Sequence, residues 1–135
     1  MCLTLTKNSE IKVAQENITC YKVMEKWDNT LISPYQSMRY KCGIMRVSET
    51  PITLKHGMFG VYIEEGFHSC CNEQEAERLK SALQTHATLH NFDAQYVVVK
   101  CLISTGTRYA VGFFSWLGES FDSICSERII AVEEV

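Results

Sequence analysis

The sequence predicts an α+β fold: a curved, mainly antiparallel β-sheet with one principal α-helix. Three observations carry that expectation. Apolar runs of strand length recur along the chain, from "CLTLT" at the start to "RIIAVEEV" at the end. Only one stretch, after Asn72, places apolar residues at helical spacing behind a good N-cap. The most apolar run, "AQYVVVKCLIS", is followed at once by the turn signal "STGT" and then by "RYAVGFF", which reads as a hairpin. At 135 residues and 46% hydrophobic content the chain can bury a real core, so residues 1–135 are expected to form one domain.

Taken in order, "CLTLT" alternates and opens the chain as a strand, and "ITCYKVM" follows after a polar gap. Short helical turns are expected near "EKWDNTLISPYQS". "MRYKCGIMRV" reads as extended, with Gly43 marking a turn or bulge inside it. "PITL" and "FGVYI" are further strand candidates, while Pro34 and Pro51 sit in connections. Gly66 is expected in a turn, after which the chain extends again. Strand alternation then sends Phe67, Ser69 and Cys71 to one side and His68 and Cys70 to the other, with Phe67 entering the core and Cys71 inert. The helix is expected over residues 72–85. Asn72 caps it, Glu75 stands where a capping box needs it, and Ala76, Leu79 and Leu83 face the sheet. Either it ends near Thr85, or His86 and His90 continue its apolar face toward the core or a cleft.

Thirteen basic against sixteen acidic residues give a net charge of -3, and the basic ones are scattered. That argues against a nucleic-acid footprint or binding to an anionic membrane. No apolar run approaches the roughly 20 residues that span a bilayer. "MCLTLTKNSE" lacks the basic start and apolar stretch of a signal peptide, so a soluble cytoplasmic protein is expected. Seven cysteines, an odd number, then read as largely reduced thiols. Cys20, Cys42 and Cys101 lie in strand-like runs and are expected to be buried.

The densest chemistry is Gly66-Phe67-His68-Ser69-Cys70-Cys71. In a functional reading Gly66 turns the backbone and His68 faces a pocket, exchanging protons near neutral pH. In the plainer reading Phe67 anchors the core and His68 is a hydrogen-bonded structural group. His68, Cys70, Cys71, His86 and His90 are metal-ligand types, and His86 to His90 has the helical spacing of a chelating pair. No C-x-x-C occurs, however, and adjacent cysteines on an extended chain point apart, so no metal is expected. Cys2 would become an N-terminal nucleophile on loss of the initiator methionine, but "CLTLT" reads as a plain strand. "LISTGTRYAVG" lacks the spacing of a phosphate loop, and there is no G-x-S-x-G. Trp116, Phe113 and Phe114, beside Gly112 and Gly118, either line a surface groove or cap the core.

The order of these motifs carries a resemblance. Tyr21-Lys22, Tyr40-x-x-Gly43, Gly66-Phe67-His68-Ser69-Cys70, the helix with Ala76, "VVKCLISTGTRYAVG" and "CSERIIAVEEV" follow one another. Over residues 19–135 this resembles a family of small bacterial, prophage and mobile-element proteins. These carry a Gly-Phe-His-(Ser/Ala)-(Cys/Phe) core and have no established activity, so the resemblance implies a shared fold. A second similarity is to ADP-ribosyltransferase folds. It implies Lys22 on an early strand, Phe67-His68-Ser69 on the strand feeding the helix, and Glu127 before the last strand. NAD would be the cofactor, and a carboxylate would stabilise the oxocarbenium ion formed as nicotinamide leaves. The chain lacks that fold's Ser-Thr-Ser and His-Gly-Thr, and it has no Glu-x-Glu at the required place, where Glu127 stands alone.

Two functions follow, and whether the protein is an enzyme stays open between them. The first is a binding or accessory module of a phage or mobile element, using no cofactor. Phe67, His68, Ser69 and Cys70 are its expected binding residues. Its partner is a protein or small molecule, met through exposed aromatic residues of "MRYKCG" and "GFFSWLG". The second is an NAD-using transferase or its inactive relative, with Lys22, His68 and Glu127 as catalytic candidates. It requires those three to flank one cleft, within reach of one substrate.

Overall fold

The computed structural model describes residues 3–6, 9–34 and 37–135; Cys2 therefore lies outside the described residues. The first half of the chain forms β1 (Leu3–Leu5), β2 (Lys12–Val13), β3 (Ile18–Trp27), β4 (Thr30–Ile32), β5 (Arg39–Tyr40), β6 (Met45–Val47), β7 (Lys55–Gly57), β8 (Gly60–Ile63) and β9 (Phe67–Cys70). Helix α1 (Glu73–Leu89) comes next. It is followed by β10 (Tyr96–Ile103), β11 (Arg108–Trp116), β12 (Glu119–Ser126) and β13 (Arg128–Glu134). Every strand pairing among the described residues is antiparallel. A largely antiparallel sheet with one helix is thus the architecture, with more strand than the sequence suggested. The helix is not long and apolar enough to cross a membrane.

The sheet runs β6-β13-β10-β3-β9-β12-β11-β1-β8-β7. Its shape follows from one junction. β12 ends at Ser126 and β13 begins at Arg128, yet β10, β3 and β9 lie between them in the sheet. The path from β13 to β12 therefore returns to its start through the chain itself, at Glu127, and the sheet must curl. All five of these strands send side chains inward, among them Ile129 and Ala131, Val99 and Cys101, Cys20 and Met24, Phe67, and Ile124. Tyr40 and Leu31 pack onto this inner core. A second core lies between the sheet and α1, where Ala76, Leu79 and Leu83 meet Val23, Cys70, Val98, Phe114 and Phe121. A third joins Leu3, Leu5, Ile52, Ile63, Ala110 and Cys125.

Several expectations need correction. α1 runs to Leu89, a turn beyond Thr85, because His86 is half-buried and Ala87 fully buried, which extends its packed stripe. Asn72 does cap it, accepting from Glu75 N at 2.9 Å. Only half a capping box forms. The Glu75 carboxylate binds Arg78 Nη1 at 2.6 Å and Asp122 N at 2.9 Å, tying the helix start to β12. "STGT" does turn at Gly106, but β10 and β11 do not pair. Both edges of β10 are taken, by β3 and β13. The hairpin partner of β11 is β12, a strand the sequence reading did not anticipate. "EKWDNTLIS" is no helical turn but the β3–β4 hairpin, and Tyr35 and Gln36 of the same stretch lie outside the described residues.

"PITL" forms no strand. Pro51 has no N–H to give a ladder, and the N–H of Ile52 donates to Glu127 at 2.8 Å instead. Phe59 leaves the expected "FGVYI" strand for the β7–β8 turn, where it is 95% exposed. Cys42 is exposed in the turn between β5 and β6, with Gly43, whereas Cys20 and Cys101 are buried opposite one another on β3 and β10. The six described cysteines are free thiols. Tyr40 and Phe114 are buried rather than available as contacts.

Candidate functional site

The structure brings Lys22, His68, Ser69 and Cys70 together and puts Glu127 elsewhere. β3 and β9 are bonded at one position, Tyr21 opposite Cys70. Beyond it the carbonyl of His68 faces β3, and Lys22 Nζ donates to it at 2.6 Å. Lys22 is only 4% exposed, and no acidic side chain pairs with it among the described residues. Burial holds its pKa below the ordinary lysine value, and the thiols of Cys101, Cys20, Cys70 and Cys125 oppose that only in part. Its ammonium end lies 5.8 Å from the centre of the Tyr40 ring.

The alternation along β9 is as the sequence requires. Phe67, with Cys71 packed against it, belongs to the inner core, and Cys70 belongs to the core beneath α1. Ser69 lies against the Cys20 thiol of the inner core. His68 takes the other side, opposite Cys125 on β12. Its Nε2 is 3.3 Å from Glu64 O and 3.2 Å from Glu65 O. Two carbonyls can be satisfied only by a donor, so the neutral ring carries its hydrogen on Nε2. The Cys125 thiol also donates to Glu65 O, at 3.0 Å. His68 Nδ1 is buried without a hydrogen-bond partner. Burial, reinforced by Lys22, lowers the His68 pKa to about 4.

These residues enclose a cavity of about 20 Å³, which Val23, Leu79 and Phe114 complete. That is room for about one water molecule, not for a substrate. Burial also pushes the Cys70 thiol up to about 12 and Cys71 to about 11, so neither is a ready thiolate at neutral pH. Glu127 sits at the β12–β13 corner, where its Oε2 accepts from Ile52 N at 2.8 Å and from Arg108 Nη1 at 3.0 Å. It pins two segments and is not among the residues lining the His68 cavity. The arrangement does not fit a nicotinamide dinucleotide: the cavity is too small, and the carboxylate carried over from the transferase pattern is committed to Arg108. Among the described residues, no three His, Cys, Asp or Glu side chains gather to hold a metal ion.

The buried neutral imidazole makes stability pH-dependent with a definite sign. Above the unfolded value of 6.5, both states are neutral at His68 and its contribution is fully present. As pH falls from there toward about 4, the unfolded chain takes up a proton that the folded one refuses, and stability is lost. The expected loss from this group is about 3 kcal/mol. Urea midpoints measured between those limits check it. His68→Gln, whose amide can reach the same carbonyls, is expected to flatten the profile; an unchanged slope would place the acid sensitivity in other groups.

A wider site lies on the opposite face of α1. A groove of about 920 Å³ runs between the exposed side of the helix and the β11–β12 turn, with Ala82, His86, Leu89 and Leu117 among its lining. Leu89 is 74% and Leu117 66% exposed. Leu117 has φ of 49°, the left-handed region, which costs a non-glycine residue roughly 1–2 kcal/mol. Trp116 stands beside it with its ring centre 5.3 Å from that of His86, which lies 4.4 Å from His90. His90 in turn stacks on Phe92 at 5.9 Å. His86 and His90 thus join an aromatic cluster at the end of the helix rather than the core. Trp116, expected with Phe113 and Phe114 either to line a surface groove or to cap the core, packs against the core beneath α1 and is not among the residues lining this groove. The groove's one local signal was a leucine at the turn position before Gly118, where asparagine or aspartate would be expected.

No family model matches the chain, and no curated protein or solved structure matches it.

Proposed function

We propose that this protein is a small cytoplasmic binding module that holds a segment of a partner protein in the groove between α1 and the β11–β12 turn. The observation that carries this reading is Leu117. A large apolar side chain stands exposed on the lip of a groove, on backbone that disfavours it, and packing does not hide it. Strained residues of that kind cluster where a ligand is gripped. The residues with catalytic potential support the same reading, since Lys22, His68 and Glu127 are each tied into the fold by hydrogen bonds. The resemblance of the Gly66-to-Cys70 motif to small prophage and mobile-element proteins fits an accessory role of this sort.

Selection of a displayed random-peptide library on the immobilised protein tests the reading, with Leu117→Asp as the counter-selecting surface. Leu117 is exposed at a turn, so its replacement leaves the fold intact, which circular dichroism verifies. A shared sequence pattern retained by the native protein and lost on Leu117→Asp is the expected result. Enrichment of nothing, or of the same peptides by both proteins, would remove the groove as the binding surface.

A further inference from the structure

The two ends of the groove differ in chemistry. Glu73 and Glu77 stand exposed one helical turn apart at the start of α1. Glu119, two residues after Leu117, lines the other wall midway along the helix, where its neighbour Ser120 accepts from Arg78. None of the three makes an ion pair within the described residues. Arg78 is the cation of this lining, and it is already committed. It bonds Glu75 at 2.6 Å and Ser120 O at 2.8 Å, and its guanidinium lies 4.6 Å from the centre of the Phe121 ring. It therefore leaves the three carboxylates uncompensated. At the far end the lining turns apolar, with Leu89 and Leu117 exposed above the half-buried His86.

We propose that the occupant is an amphipathic segment of a partner protein that places lysine or arginine beside Glu73, Glu77 and Glu119. Its apolar side chains then cover Leu89 and Leu117. This rests on the groove being the binding surface and adds the chemistry of what it binds. Exposed ion pairs at a rim contribute orientation and on-rate more than affinity, while the apolar end supplies the contact that excludes water. Glu73 and Leu89 are separated by about 24 Å of helix, at about 1.5 Å per residue. An extended segment of about seven residues spans the same distance at about 3.3 Å each.

The test uses peptides recovered from the display selection, synthesised with a fluorophore and titrated against the native protein, Leu117→Asp and the double variant Glu73→Lys with Glu77→Lys. The expected peptides carry lysine or arginine at one end and apolar residues at the other. Exchanging their basic residues for glutamate is expected to weaken binding about tenfold, the product of about twofold from each exposed pair. That difference should shrink as salt rises from about 0.05 M to about 0.5 M, since the Debye length falls severalfold. The double variant should reverse the preference. Peptides that need Leu117 but bind equally well with either charge would overturn the proposal and leave the groove reading standing. Binding that ignores Leu117 would overturn both.

Discussion

Gly66→Ala is expected to destabilise the protein by on the order of 3–5 kcal/mol, combining a left-handed backbone cost with overpacking. Gly66 has φ of 84°, and a Cβ there would lie 2.7 Å from Ile52 Cγ2, 2.8 Å from Ser126 O and 2.9 Å from Cys125 Sγ. The Ile52 side chain could turn aside. The Ser126 carbonyl cannot, because β12 pairs with β9 on one side and β11 on the other. Gly118→Ala is the internal control. It has φ of 79° with nothing within 4 Å of the added Cβ, so it should show the backbone cost alone. Urea midpoints for the two variants then separate conformation from crowding; equal losses would mean that the space around Gly66 is less tight than its contacts indicate. The turn at Gly66 also brings the carbonyls of Glu64 and Glu65 onto one imidazole nitrogen. Gly66→Ala should therefore disturb the acid sensitivity traced to His68, and Gly118→Ala should not.

What could be read beforehand, and what could not, follows from where the information resides. The alternation of β9 and the cap of α1 are local. Phe67, His68 and Cys70 fall on the sides expected, and Asn72 caps the helix, because pleat and capping geometry involve only neighbours. Strand pairing is not local. The turn at Gly106 was legible, but the partner of β10 was decided by β3 and β13, residues far away in the chain. β12 was missed because "ESFDSICS" carries serines at Ser123 and Ser126 that read as loop yet are fully buried. The backbone carbonyl of Phe121 accepts from the Ser123 hydroxyl, which softens that burial. Glu127 was singled out as chemistry and proves to be the clasp at a corner, a role visible only once β12 and β13 are seen as one bent strand. The groove was illegible for a further reason: its walls are the solvent side of a helix and a turn about thirty residues later, each unremarkable alone.

Leu79→Ala is expected to cost 2–5 kcal/mol, the range for truncating a buried leucine. Alanine is the better helix former, so none of the loss can be charged to helix propensity. The whole effect reports packing. Leu79 is nearly fully buried between α1 and the sheet, and it already borders the small cavity shared by Lys22, His68 and Cys70. Removing its isopropyl end enlarges an existing void instead of opening a fresh one, and a void bounded by two bonded β-strands has little freedom to collapse. The upper half of the range is therefore the better expectation, and a change below about 0.5 kcal/mol would mean that the helix face was misassigned. The variant also separates scaffold from site. Leu79 points into the sheet while Ala82, Leu89 and Leu117 line the groove on the other side. Once affinity is corrected for the folded fraction, a groove-bound peptide should be held by Leu79→Ala as tightly as by the native protein. If peptide affinity falls in step with stability even after that correction, α1 is not a rigid wall, and the groove is shaped by the same packing that Leu79 anchors.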